Sequence, residues 1–194
     1  TRRSSDLAYV FTRLEFKGRN IVFILYLSTM MIPITVRLIP SYNLCRNLNM
    51  LDTYMGMILP QVAWSIPFGT FLMRQFYMGI PKQLDEAAKI DGASHFQIFW
   101  KILLPNTKSS MTTLGIYTFI SAWNNLIWML LSVRSESKWT VTLGISSICG
   151  ASVIKQPTWN LIMGVIVIGM IPVLILFFAF QKYFMQSVAA TGIK

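Results

Sequence analysis

Residues 161–180 read LIMGVIVIGMIPVLILFFAF, an unbroken run without a single charge. At the rise of an α-helix such a run is about 30 Å long, the thickness of a bilayer's hydrocarbon core. Outward from it the same pattern recurs. Uncharged stretches cover 26 residues between Lys155 and Lys182, 25 between Lys108 and Arg134, 21 between Asp52 and Arg74, and 17 between Arg19 and Arg37. The first three are long enough to span. The shortest needs residues from its flanks, with Leu38 to Pro40 as the natural addition. Charged residues make up 12% of the chain, about half the usual share in soluble domains. A soluble core of four buried helices is the alternative that this composition disfavours. The sequence therefore predicts an all-α, polytopic transmembrane helical bundle with four spans visible.

Helix breakers inside these stretches (Pro33, Pro60, Pro67, Gly115, Gly164, Gly169, Pro172) fit this reading, because neighbouring groups in a bundle can satisfy the freed carbonyls. The run WTVTLGISSICGASVI, 139–154, is too short and too rich in glycine and serine to span. It reads as an extended loop or interfacial segment, with a re-entrant piece as the alternative. The opening TRRSSDLAYVFTRLEF reads as the tail of something apolar, so one or two further spans are expected upstream of it.

Lysine and arginine set the orientation. Four spans put Arg2, Arg3, Arg13, Lys17, Arg19, Arg74, Lys82, Lys89, Lys101, Lys108, Lys182 and Lys194 on one side. Arg37, Arg46, Arg134, Lys138 and Lys155 fall on the other. The richer side is expected to be cytoplasmic, and the net charge of +10 becomes a topology signal. No basic stripe interleaved with aromatics stands apart from the membrane flanks, so the charge does not point to nucleic acid. Cys45 and Cys149 lie on the predicted outer side without metal-ligand spacing and are read as free thiols, with an external disulfide as the alternative. The single histidine, His95, makes no metal cluster and reads as a solvated residue in a helix's first turn.

Between the second and third stretches, residues 79–105 carry dense helix punctuation. Pro81 suits the first turn of a helix. KQLDEAAKI is a strong helix former of about ten residues, with Asp85 and Glu86 near its start and Lys89 near its end. Gly92 fits a left-handed terminating residue. Ser94 with Gln97 is a capping-box pair opening a second helix, HFQIFWKILL, which Pro105 is expected to end. Leu84, Ala87, Ala88 and Asp91 fall on one short face of the first helix. Its adjacent alanines let a partner's groove approach the backbone, and Glu86 adds a fixed charge beside them. The second helix (Phe96, Phe99, Trp100, Leu103) suits packing beneath membrane helices. From the residues alone, a docking knob and an amphipathic loop resting on lipid headgroups both remain open.

The segment EAAKIDGASHFQIFWKILLP, 86–105, closely resembles the EAA loop of binding-protein-dependent ABC importer permeases. Glu86, Ala87, Ala88, Gly92, Ile102, Leu104 and Pro105 meet that pattern without a gap. MIPITVRLIPSYNL, LDTYMGMILP, WNNLIW and FQKYFMQSVAATGIK look like the carbohydrate-uptake branch, with its maltose-type and glycerol-3-phosphate-type permeases. The resemblance implies that residues 1–194 are a transmembrane permease domain, N-terminally incomplete, acting in the cytoplasmic membrane. It implies that 79–105 is a cytoplasmic coupling segment docking in a cleft of a cytoplasmic ABC ATPase, with Glu86 facing a basic residue. The implied partners are two ATPase copies, a second homologous permease and an extracytoplasmic solute-binding protein. ATP and Mg would be bound by the ATPase and no cofactor by this chain. The implied function is import of a sugar or polyol phosphate by alternating access, without covalent catalysis. Permeases for amino acids, polyamines or phosphate share the loop and stay open.

Two residue-level observations agree with an external engine. The chain contains no G-x-x-x-x-G-K-[ST] phosphate loop, and its uncharged stretches lack the intramembrane ionisable groups typical of ion-coupled carriers. A channel or carrier with such groups upstream, or a scaffold that recruits an unrelated partner, remains as a rival. Within the stretch between Lys108 and Arg134, Trp123, Asn124, Asn125 and Trp128 offer aromatic faces and amides suited to a polar, uncharged solute. Interhelical hydrogen bonding by asparagine is the competing reading. The family often has an acidic residue where Asn125 stands and a proline where Met129 stands. The tail MQSVAATGIK resembles the family's C-terminus, which in some members touches the ATPase; a frayed end is the alternative. Loop 134–157 is where the resemblance implies contact with the binding protein.

Overall fold

The computed structural model describes residues 2–154 and 159–192, with side-chain surroundings for 3–150 and 159–181. The expectations resting on Lys155, Lys182, Lys194 and the tail's side chains lie outside those residues. Among the described residues the chain forms helices and turns and no strand. The helices are α1 (Arg2–Arg13), α2 (Arg19–Ser28), α3 (Ile34–Asn47), α4 (Tyr54–Met78), α5 (Gln83–Ile90), α6 (His95–Ile98), α7 (Leu104–Asn106), α8 (Lys108–Trp123), α9 (Leu126–Ser132), α10 (Val141–Ile154) and α11 (Trp159–Gly192). A wide π-turn, Phe99–Leu103, joins α6 to α7.

Two helical stretches, Tyr54–Met78 and Trp159–Gln181, are long and apolar enough to cross a membrane unaided. The pairs α2/α3 and α8/α9 reach that length as broken spans, which brings the total to four when each pair counts as one. The first expected span is therefore not one straight run through Leu38 to Pro40. Ile32 adopts φ −73°, ψ 116°, the extended conformation that a following proline imposes, and a new helix starts after Pro33. Residues 139–154 also depart from expectation. They are not an extended loop, because α10 occupies Val141–Ile154. Its start is helped by the Thr140 hydroxyl, which accepts from the Leu143 amide at 3.3 Å.

The chain divides into two compact units. One comprises Thr1–Ile32, Trp64–Ile116 and Gln181–Lys194. Its core gathers Ala8 and Tyr9 of α1, Met73 and Tyr77 of α4, Ala88 of α5, Ile98, Phe99, Leu103, and Leu114 of α8. The other comprises Pro33–Ala63 and Tyr117–Phe180, with Cys45, Met57, Trp128, Met129, Val133, Leu143 and Ile162 buried. Cys45 and Cys149 are free thiols.

In the second unit, α4 continues through Pro60, whose missing N–H strands the carbonyl of Gly56 four residues earlier. The fully buried Trp128 fills that gap, donating its indole N–H to the Gly56 oxygen at 3.1 Å. Gly56 also permits a close approach, since a Cβ there would sit 2.0 Å from the Met50 carbonyl oxygen.

Candidate functional site

Residues 79–105, the expected coupling segment, belong to the first unit. α5 runs from Gln83 to Ile90 with Lys82 as its N-cap. Pro81 precedes the helix and accepts the Leu84 amide through its carbonyl at 3.4 Å. Asp85 and Glu86 occupy the first turn and Lys89 the last, each favourable to the helix dipole. The helix closes in a Schellman arrangement. The Gly92 amide donates to the Lys89 carbonyl at 3.0 Å and the Ala93 amide to the Ala88 carbonyl at 2.9 Å. Gly92 takes φ +78°. The chain turns at once into α6, where Ser94 and Gln97 cap reciprocally: Ser94 N–H to Gln97 Oε1 at 2.8 Å, and Gln97 N–H to Ser94 Oγ at 3.3 Å.

Pro105 does not end this second helix. The path widens into the π-turn and continues as α7, with Pro105 in its first turn. The Leu104 amide bonds five residues back to Phe99. A proline has no N–H to give the preceding turn, so an early position in a renewed helix suits it. Asn106 Nδ2 and Thr107 Oγ1 then cap the Ile102 and Leu103 carbonyls at 2.7 and 2.9 Å. Ile102 and Leu104 are half-buried against the unit's core. Phe99 and Leu103 are buried, whereas Phe96 stays 69% exposed.

The four residues grouped on one face of α5 separate. Ala88 turns into the core, alongside the buried Asp85, while Leu84, Glu86, Ala87 and Asp91 remain exposed. Ile90, 87% exposed, joins them. Two apolar side chains, Leu84 and Ile90, thus flank a surface thinned at Ala87 and bordered by Glu86 and Asp91.

Sequence reasoning missed how this segment is held. α1 packs on it, and the two meet through polar groups. Arg13 Nε lies 2.9 Å from Asp85 Oδ2, an ion pair whose side chains are only 5% and 11% exposed. Arg13 Nη2 donates to the Ile80 carbonyl at 2.8 Å. Tyr9 Oη pairs with His95 Nδ1 at 2.9 Å, so His95 is tethered as well as solvated. Burial, with the Asp85 carboxylate adding to it, raises the Tyr9 phenol above its ordinary pKa despite Arg13, keeping it a neutral hydroxyl. Beside the pair opens a cavity of about 600 Å³ lined by Arg13, Glu15, Lys82, Asp85, Glu86, Lys89 and His95. The available signal was the lone Asp85 preceding the EAA triplet, but nothing local reveals its distant partner.

In the second unit, the residues considered for solute contact do not share one helix face, because the helix breaks between them. α8 stops at Trp123, and α9 begins after Asn125 with a 53° bend. Asn125 is the N-cap of α9, its Oδ1 accepting from the Trp128 amide at 3.3 Å. Trp128 is committed to Gly56, and Trp123 stacks on Phe119 at 5.6 Å. Asn124 is exposed.

A second cluster in this unit escaped notice in the sequence. Asp52, at φ +55°, accepts the amides of Arg134 and Ser135 on Oδ1, each at 3.0 Å. The Ser135 hydroxyl and Lys138 close on Oδ2 and on the Asp52 carbonyl. These bonds, led by the Ser135 hydroxyl, hold the Asp52 carboxyl well below the usual carboxylate range.

Residues 7–190 match the family described as the binding-protein-dependent transport system inner membrane component. The chain belongs to that family. Among curated relatives, the arabinooligosaccharides transport system permease AraQ of Bacillus subtilis is 34% identical over 191 residues, covering 98% of this chain and 66% of that protein. The sn-glycerol-3-phosphate transport system permease UgpE of Yersinia enterocolitica is 38% identical over 181 residues, 93% of this chain and 63% of that one. The chain thus spans a little under two thirds of their length. Among solved structures, a bacterial ABC transporter involved in the import of the acidic polysaccharide alginate superposes with a TM-score of 0.72 at 27% identity, over 91% of this chain and 66% of that one.

Proposed function

We propose that this chain is the membrane-spanning permease subunit of an ATP-driven importer for a sugar or a glycerol-type phosphate. The observation that carries the reading is the coupling segment. Seven EAA positions recur at family spacing: Glu86, Ala87 and Ala88 on a helix locked at its C-terminal end by a Schellman turn at Gly92, and Ile102, Leu104 and Pro105 beyond the capping box that follows. That build presents Leu84, Glu86, Ala87, Ile90 and Asp91 outward on a rigid stub. Such a stub suits the cleft of a cytoplasmic ATPase, two copies of which would bind the ATP and Mg. A second homologous permease and an extracytoplasmic solute-binding protein complete the proposed assembly. The segment and the C-terminus would face the cytoplasm, in agreement with the lysine and arginine bias.

The substrates in the relatives' names favour the carbohydrate branch over amino-acid, polyamine or phosphate importers. Within the chain, Asn124, exposed at the α8/α9 break, and Trp123 beside it are the residues we assign to the solute path. Asn125 and Trp128 serve the helix geometry there. The test is uptake of labelled sugars and glycerol 3-phosphate by the assembled complex in proteoliposomes. ATP- and binding-protein-dependent uptake of one of them is expected. Uptake that persists without ATP would favour the carrier reading.

A further inference from the structure

The buried pair between Arg13 and Asp85 joins two helices far apart in sequence. Arg13 stands in the last turn of α1 and Asp85 in the first turn of α5, so each charge also complements its own helix dipole. α5 has eight residues, too few to hold a helical shape without tertiary support. α1 supports it directly through Arg13 to Asp85, and holds its flanks through Arg13 to the Ile80 carbonyl and Tyr9 to His95 of α6. α1 in turn is fastened to α4: the fully buried Ser5 hydroxyl pairs with the fully buried Tyr77 hydroxyl.

We infer that Arg13 and Asp85 are positioning residues that make α1 a strut, carrying displacement of the coupling helix to the spanning helix α4. The inference rests on the reading of α5 as the ATPase contact. A buried ion pair adds little net stability compared with an apolar pair of like volume, yet breaking it leaves a charge unpaired in the interior. What such a pair supplies here is a fixed relation between two elements. A pull on the exposed face of α5 reaches Asp85 within the same two turns, and from there α1, without passing through the short connection from α4 to α5.

The experiment uses the assembled importer in proteoliposomes, measuring solute delivered per ATP hydrolysed for Arg13→Gln, Asp85→Asn and the exchange Arg13→Asp with Asp85→Arg. Spin labels at Leu7 and Lys89, both exposed, in a background lacking Cys45 and Cys149, report the α1–α5 distance with and without ATP. The single variants are expected to lose delivered solute per ATP severalfold while ATP hydrolysis continues, and the exchange to recover most of that loss. The label distance should stay constant through the cycle in the parent chain and vary in the single variants. Normal delivery per ATP in assembled single variants would overturn the inference. So would an exchange variant that assembles but stays as poorly coupled as the singles, or a parent chain whose α1–α5 distance changes with ATP. If the parent complex itself showed no ATP-dependent uptake, the failure would lie with the functional reading.

Discussion

The indole N–H of Trp128 donates to the carbonyl of Gly56 at 3.1 Å, and that carbonyl is the one Pro60 leaves unpaired in α4. A single side chain thus repairs a proline break inside a spanning helix. Trp128→Phe removes the donor and keeps most of the ring, so the carbonyl is left buried without a partner, at about 1–3 kcal/mol. Pro60→Ala restores an amide at that position. Thermal unfolding of the purified protein should therefore show Trp128→Phe destabilised and the double variant partly recovered. Equal destabilisation with and without Pro60 would refute the repair.

Asp52 predicts a pH signature. Its carboxyl is held below the ordinary value of 3.8 by bonds to Ser135 and Arg134. A depressed acid contributes stability that is full above the unfolded pKa and is lost as pH falls through the folded one. The difference in stability between the parent chain and Asp52→Asn should be flat from neutral pH down to about 5 and shrink only below about 4. A difference that changes between pH 6 and 8 would point to another group.

Gly92 takes φ +78° and has open space where a Cβ would go. Gly92→Val thus suffers backbone strain alone, about 1–2 kcal/mol, while Gly92→Asn, which tolerates that region, should cost less. Uptake should follow the order Gly, Asn, Val with membrane insertion unchanged. An insensitive series would mean that the turn between α5 and α6 is not geometrically exacting.

Glu86 is exposed on α5 while its neighbour Asp85 is buried. Glu86→Lys is expected to abolish uptake and loosen the ATPase, as loss of one member of a hydrogen-bonded interface pair costs about 2–5 kcal/mol. Insertion and unfolding temperature should be unaffected. Normal uptake would remove Glu86 from the interface.

Spanning helices were legible in the sequence because a bilayer demands length and apolarity, and both can be counted. The turn between α5 and α6 was legible because its determinants are local: Gly92, Ser94 and Gln97 act within a few residues of each other. The break at Pro33 and the continuation past Pro105 were not. A proline states what it cannot donate, and the surroundings decide whether the chain bends or runs on. Helix α10 was masked by glycine and serine, which lower helix propensity in water. The Arg13–Asp85 and Asp52–Ser135 ties were invisible because each joins segments brought together only by the fold. The grouping of Ala88 with Ala87 failed for a related reason: helical spacing puts both near one face, and only packing decides which of them turns inward.

The central claim is that the exposed face of α5 is gripped by an ATPase. Its most direct test is cross-linking from a cysteine at Ala87, in a chain lacking Cys45 and Cys149, within the complex in native membranes. The account predicts a nucleotide-dependent cross-link to the ATPase from Ala87→Cys and none from the buried Ala88→Cys. An Ala87→Cys that instead reacts with an impermeant thiol reagent added outside intact cells, and never links to the ATPase, would contradict it.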